Sequence, residues 1–191
     1  PELDLPQLWA MLAELRHQHG LREIAGDIVL DRHLFRPARP DLGVPPFDEF
    51  PDAWYNAIPD ALNLGGGMAV LQLRSDDPAA PGALQASTVP PLPGLVVDTS
   101  AMRLTDGPCW RWRDDWRPPA PAETGPDGSL RVRLQGGFPR GCSARPALQL
   151  IDRDALAARQ LRWLWAGLGG SWHGRLREAP SATVALVSAA A

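Results

Sequence analysis

The chain has 191 residues and a formal net charge of -3, so it can bury a sizeable core but carries no field of one sign to gather nucleic acid or an anionic membrane surface. All 19 of its basic residues are arginine, which excludes lysine Schiff bases, P-loops and lysine general bases. With 45% apolar and 21% charged residues the chain is ordinary globular material, while 21 prolines and 18 glycines predict many turns and long connections.

Asp4 is placed to cap a helix in which Leu5, Leu8, Leu12 and Leu15 recur at helical spacing, with Pro6 tolerated in the first turn and Gly20 as its stop. Ile28-Val29-Leu30, between Asp27 and Asp31, reads as a short buried strand. The five prolines from Pro37 to Pro51 predict an irregular loop. Met68 to Leu73 alternates as a strand, preceded by Gly65-Gly66-Gly67. That triple glycine is a turn or bulge rather than a phosphate cradle, because neither Lys-Ser/Thr nor a helix follows it.

Residues 75 to 94 are rich in Ser, Asp, Pro, Ala and Gly and read as a crossing between lobes, with strands following at 94–97 and 101–104. Leu130-Arg131-Val132-Arg133-Leu134 alternates strictly, which predicts a half-exposed strand with both arginines on one face. Asp154 is placed to cap a second helix with Leu156, Gln160, Trp163, Leu164 and Leu168 on one face and Gly169-Gly170 at its end. Strand patterns at 172–177 and 183–187 close the chain.

No repeat, heptad or βαβ series is present, which favours an α+β fold: a mainly antiparallel sheet with two flanking helices and a smaller β-rich subdomain inserted in it. The expected boundaries are 1–73 with 147–191 for the discontinuous α+β part, and 74–146 for the insert. No basic and apolar leader opens the chain, and no apolar run approaches the roughly 20 residues that span a bilayer. The abrupt ends, Pro1-Glu2-Leu3-Asp4 and Ser188-Ala189-Ala190-Ala191, read as those of a segment of a longer protein.

Cys109 and Cys142 are too few and too far apart for a zinc knuckle or a Cys-x-x-Cys redox pair. They are either a disulfide or two inert thiols. The turn residues beside each, in Gly-Pro-Cys-Trp and Arg-Gly-Cys-Ser, favour the disulfide and with it an oxidising compartment. His17 and His19 sit about 200° apart around a helix and cannot share a metal, and His33 and His173 are isolated. No metal or cofactor is expected. Trp110, Arg111, Trp112, Arg113 and Trp116 form a basic-aromatic cluster suited to stacking on sugar rings or bases, although Asp114 and Asp115 offset its charge. Trp110 and Trp112 would share one strand face beside Cys109, where packing over a disulfide is the competing role. Asp48, Glu49 and Asp52 make an acidic stretch before Trp54-Tyr55-Asn56, open to acid/base work or to plain solvation.

Taken in order, Ile24 to Asp31 with Phe35, Tyr55 to Asn63, Leu130 to Cys142, and Asp154 to Leu168 followed by Gly174 resemble the D-Ala-D-Ala carboxypeptidase/endopeptidase family, the class C low-molecular-mass penicillin-binding proteins. Members of that family use a serine nucleophile in Ser-x-x-Lys, with Ser-x-Asn and Lys-Thr-Gly completing the site. A chain without lysine cannot hold the first or third motif. The only asparagines, Asn56 and Asn63, do not form the second.

The resemblance therefore implies the non-catalytic insert between Ser-x-x-Lys and Ser-x-Asn of a periplasmic serine peptidase that cleaves peptidoglycan stem peptides through an acyl-enzyme. Its partners would be the transpeptidase-like catalytic domain of the same parent chain and the peptidoglycan peptide. It also implies a disulfide where Cys109 and Cys142 stand. In some members a Trp, an Asp and a Tyr line the pocket that reads the diaminopimelyl side chain. Tyr55 holds the Tyr position, Phe47 and Phe50 replace the other two, and Asp48, Glu49 or Asp52 is left to supply the carboxylate. The rival expectation is a free-standing secreted module that binds a glycan or a protein through the Trp/Arg cluster.

Overall fold

The computed structural model describes residues 4–32, 64–76, 82–117, 119, 122–126 and 128–180. These fall into two compact units. One takes residues 4–32, 64–66 and 161–180, and the other takes the described residues from 67 to 160.

The first unit opens with α1, Leu5–His17. Asp4 and Gln7 form a reciprocal capping box, with Asp4 Oδ1 accepting from the Gln7 N–H at 2.8 Å and Gln7 Oε1 accepting from the Asp4 N–H at 3.2 Å. Leu8 and Leu12 are its buried positions, each contributing about 1.5–3 kcal/mol of apolar burial. Two short strands follow, β1 (Glu23–Ile24) and β2 (Ile28–Leu30).

The second unit begins with a 3-10 turn at Leu64–Gly67, which straddles the division, and continues into β3 (Ala69–Arg74) and β4 (Gln85–Thr88). Next come β5 (Leu95–Thr105), a 3-10 turn at Cys109–Arg111, β6 (Trp116–Arg117) and β7 (Glu123–Thr124). After these are β8 (Leu130–Pro139), β9 (Ser143–Ala144) and β10 (Ala147–Leu148). Helix α2, Arg153–Gly167, crosses the division, and β11 (Ser171–Trp172) and β12 (Leu176–Glu178) return to the first unit.

In the first unit the closing strands lie on the opening ones: β1 pairs β11 and β2 pairs β12, both parallel. Side-chain hydrogen bonds tie this double ladder together. Arg162 donates to the carbonyls of Trp172 at 2.8 Å and Gly174 at 2.7 Å while its guanidinium stacks 4.1 Å from the centre of the Trp172 ring. Trp172 Nε1 donates to the Gly26 carbonyl at 3.1 Å. Trp165, almost fully buried, donates from Nε1 to the Ser171 carbonyl at 2.8 Å. Asp27 accepts from the Arg175 N–H and pairs with Arg177, and Arg32 pairs with Glu178.

The second unit holds two sheets. In one, β3 lies between β10 and β4, with β9 also on β3, and every pairing is antiparallel. In the other, β8 lies between β5 and β6, with β7 also on β8. Leu71, Leu73, Val132, Leu134 and Phe138 are fully buried between their strands, with Leu148, Leu150 and Leu156 in the same core.

The α+β class stands, and three sequence expectations are corrected in detail. The strands expected at 94–97 and 101–104 are one strand broken only by a register shift between Asp98 and Ala101, and its long pairing with β8 is parallel. The 75–94 crossing contains β4, whose exposed positions carry the polar residues that made it look like a loop. The cap of α2 is Asp152, whose Oδ1 accepts from the N–H groups of Asp154 at 2.9 Å and Ala155 at 3.3 Å. Asp154 is therefore inside the first turn, where its charge still complements the helix dipole. The strand pattern at 183–187 lies outside the described residues.

Candidate functional site

Residues 106–117 leave the end of β5, form the 3-10 turn and come back as β6 on the far side of β8. This strap is held at both ends. At the first, the Cys109–Cys142 disulfide closes across 5.4 Å between Cα atoms, and the Arg140 N–H donates to the Thr105 carbonyl at 3.0 Å. At the second, Trp116 and Arg117 pair with Gly136 and Gln135, and the Gly137 N–H donates to the Asp115 carbonyl at 2.8 Å. Two glycines allow that approach. Gly136 has φ +98°, and a Cβ there would fall on the Asp115 carbonyl; one on Gly137 would lie 2.7 Å from the Asp115 Cβ. The Asp114-Asp115 turn is thus drawn down onto the sheet.

The three tryptophans of the strap divide between two roles. Trp112 meets Trp116 edge to face at 5.4 Å between ring centres and lies 6.3 Å from Phe138, so both are packed on the core of the unit. Trp110 is 81% exposed, with the Arg111 guanidinium 5.5 Å from its ring centre. The expected common strand face for Trp110 and Trp112 is not formed. A 3-10 turn advances about 120° per residue, so two residues apart they point in different directions.

A shallow cleft of about 360 Å³ lies over Ala101 and Gly136, two floor positions without bulk, and is rimmed by Arg103, Arg117, Gln135 and Asp115. A second, of about 210 Å³, lies between Thr105, Pro108, Arg111 and Gly137. Asp114 and Asp115 line both, so the clefts adjoin across that turn. Ion pairs line much of the rim: Arg103 with Asp115 at 3.5 Å and Arg111 with Asp114 at 2.5 Å. Being exposed, each is worth about 0–1 kcal/mol. Among the described residues, Arg117 and Gln135, opposite each other in the ladder, have side chains with no ion pair or hydrogen bond.

Further along the same face, Asp98 sits between Arg131 and Arg133, each at 3.7 Å. Hydrogen bonds from the Ser100 side chain and N–H, then the two arginines, hold its carboxyl below the ordinary value, against the opposing pull of burial. Both arginines are on one exposed face, as the alternation predicts.

Tyr55, Asp48, Glu49 and Asp52 lie outside the described residues, as does His33. His19 approaches Glu14 at 4.0 Å and His173 approaches Glu23 at 3.6 Å, both at the surface. Among the described residues no three His, Cys, Asp or Glu side chains converge as metal ligands, and no helix is long and apolar enough to cross a membrane. The cleft residues Ala101, Arg117, Gln135 and Gly136 are not singled out by the sequence. The interruption of a strict alternation by Gly136-Gly137 is the signal that marks them.

The sequence matches the model of the D-Ala-D-Ala carboxypeptidase 3 (S13) family over residues 1–190. None of the curated proteins matches it significantly. Among solved structures, penicillin binding protein 4 (dacB) from Haemophilus influenzae is similar, with a TM-score of 0.62 and 20% identity over 95% of this chain and 38% of that one. The same protein complexed with a novel β-lactam gives a TM-score of 0.51 and 17% identity, over 95% of this chain and 35% of that one. At such identities the likeness is one of fold, and this chain spans little more than a third of the structures it matches.

Proposed function

Because this chain belongs to the D-Ala-D-Ala carboxypeptidase 3 (S13) family, we propose that it is the non-catalytic insert of a periplasmic serine-type D-alanyl-D-alanine carboxypeptidase/endopeptidase. The parent enzyme would cleave peptidoglycan stem peptides through an acyl-enzyme. The observation that carries this reading is a family match over nearly the whole chain in a sequence with no lysine. Attack by serine needs a base to take its proton, and the family's base is the lysine of Ser-x-x-Lys. The nucleophile and its base therefore belong to a transpeptidase-like domain elsewhere in the parent, which this segment positions.

The segment's own contribution to chemistry is one wall of the substrate pocket. Tyr55 would supply an aromatic face, and Asp48, Glu49 or Asp52 a carboxylate for the ammonium group of a diaminopimelyl side chain. The Cys109–Cys142 disulfide supports the periplasmic assignment, since such bonds persist in oxidising compartments.

A fluorescent penicillin tests the division of labour. The parent enzyme should be labelled covalently and this chain alone should not, and labelling of the chain alone overturns the proposal. For the pocket wall, Tyr55→Ala in the parent should raise KM for diaminopimelate-containing peptides with kcat little changed. Unchanged kinetics would remove Tyr55 from the pocket.

A further inference from the structure

The strap and its two clefts have no part in that reading, yet they have the marks of a binding surface. Trp110 places a bare indole in solvent beside Arg111, while its neighbours Trp112 and Trp116 are packed on the core. A single exposed aromatic is common at protein surfaces; what ties this ring to the clefts, neither of which it lines, is Arg111, which stands 5.5 Å from its centre and lines the second cleft. The clefts adjoin, as successive units of a polymer would require, and their rims are charged or amide groups. A protein partner would need a buried apolar anchor at the centre of its interface. Here the centre is the Asp114-Asp115 turn.

We infer that this face binds a glycan strand, with one ring stacked on Trp110 and the following units lying across the clefts. The Gln135 carboxamide presents a donor and an acceptor side by side, which complements the amide of an N-acetylated amino sugar. Arg117 opposite it, free of any ion pair among the described residues, presents its fork of donors to hydroxyl or carboxylate oxygens. The Arg103–Asp115 and Arg111–Asp114 pairs set acceptors and donors side by side along the rim, and sugar hydroxyls need both. The surface is built in advance of its ligand, because the strap is closed by a disulfide at one end and by strand pairing against Gly136 at the other. The choice of N-acetylated amino sugars rests on the cell-wall reading above; the groove itself does not.

The test is a titration of the whole chain with chitotetraose, a peptide-free chain of N-acetylglucosamine, followed by calorimetry and tryptophan fluorescence. Binding with Kd below about 1 mM is expected, with a change in tryptophan emission. Trp110→Ala should weaken it about tenfold, and Arg117→Ala or Gln135→Ala should weaken it without altering the fluorescence of the free protein. All three positions are exposed, so circular dichroism should be unchanged in each variant. Absence of binding at that concentration overturns the inference, as does undiminished binding by Trp110→Ala. A sugar-free stem peptide that competes for the same surface would also overturn it, by making the site a peptide site. Penicillin labelling of the parent is read separately, so failure of the glycan site and failure of the peptidase reading are distinguishable.

Discussion

Gly174→Ala tests how closely the two parallel ladders of the first unit are held. Between the β1–β11 and β2–β12 pairings the backbones of Gly26 and Gly174 touch. A Cβ on residue 174 would land on the Gly26 carbonyl and 2.8 Å from the Asp27 nitrogen. Both obstacles are main chain and cannot rotate aside. Moving either segment also stretches the hydrogen bonds that Gly174 and Gly26 accept from Arg162 at 2.7 Å and Trp172 at 3.1 Å. Overpacking costs about 1–3 kcal/mol and a weakened hydrogen bond about 1 kcal/mol, which places the variant about 3 kcal/mol below the wild type. For a chain of this length each kcal/mol moves Tm by about 2–4 °C, so a fall of about 6–12 °C is expected. Gly26→Ala is the control: a Cβ there meets nothing within 4 Å, and the change should stay within about 0.5 kcal/mol. The assay is thermal unfolding followed by tryptophan fluorescence, since Trp165 and Trp172 both hydrogen-bond into this region. If Gly174→Ala melts within about 1 °C of the wild type, or Gly26→Ala melts as low as Gly174→Ala, the proposed close approach is refuted.

Asp152→Ala removes the acceptor for two N–H groups at the start of α2 and should cost about 1 kcal/mol in urea unfolding. Asp154→Ala, inside the first turn, should cost less, and the reverse order would mean that Asp154 is the cap after all. Opening the disulfide with Cys109→Ala and Cys142→Ala together should cost about 3–4 kcal/mol in the loop-entropy account, given the separation of 33 residues. A midpoint unchanged from the wild type would show that strand pairing alone holds the strap. Asp98 gives a pH signature. Its folded carboxyl is held below the ordinary 3.8, so the stability it adds is full above that value and fades as pH falls below it through the lowered one. Unfolding midpoints of wild type and Asp98→Asn should therefore converge as pH drops below about 3.8, and a constant gap between them would contradict the assignment.

Elements whose signal is local were legible in the sequence. The first helix announces itself by Asp4, Pro6 and the leucine spacing, and the exposed arginine face of β8 by strict alternation. What escaped depends on partners distant in sequence. Asp98 and Ala101 stand in one strand because β8 continues past the register shift, and nothing in 94–104 itself records that continuity. Asp152 and Asp154 are chemically the same cap, and only where the helix begins decides between them. The parallel sense of β5 on β8 is likewise invisible locally, since a half-exposed strand reads the same in either direction.

The aromatic cluster shows why a motif cannot be assigned a function from its composition. Trp110, Trp112 and Trp116 look equivalent as a string, and either role, packing or binding, could claim all three. A 3-10 turn at Cys109–Arg111 separates them: it places Trp110 in solvent and returns Trp112 toward Phe138. That turn is held by a cysteine 33 residues away and by two glycines on another strand. The residues that decide what the motif can do are thus not in the motif. Packing and binding are also not competitors here. Packing of the half-buried Trp112 and Trp116 on the core holds the strap, so that Trp110, Arg117 and Gln135 meet a ligand without first being ordered by it.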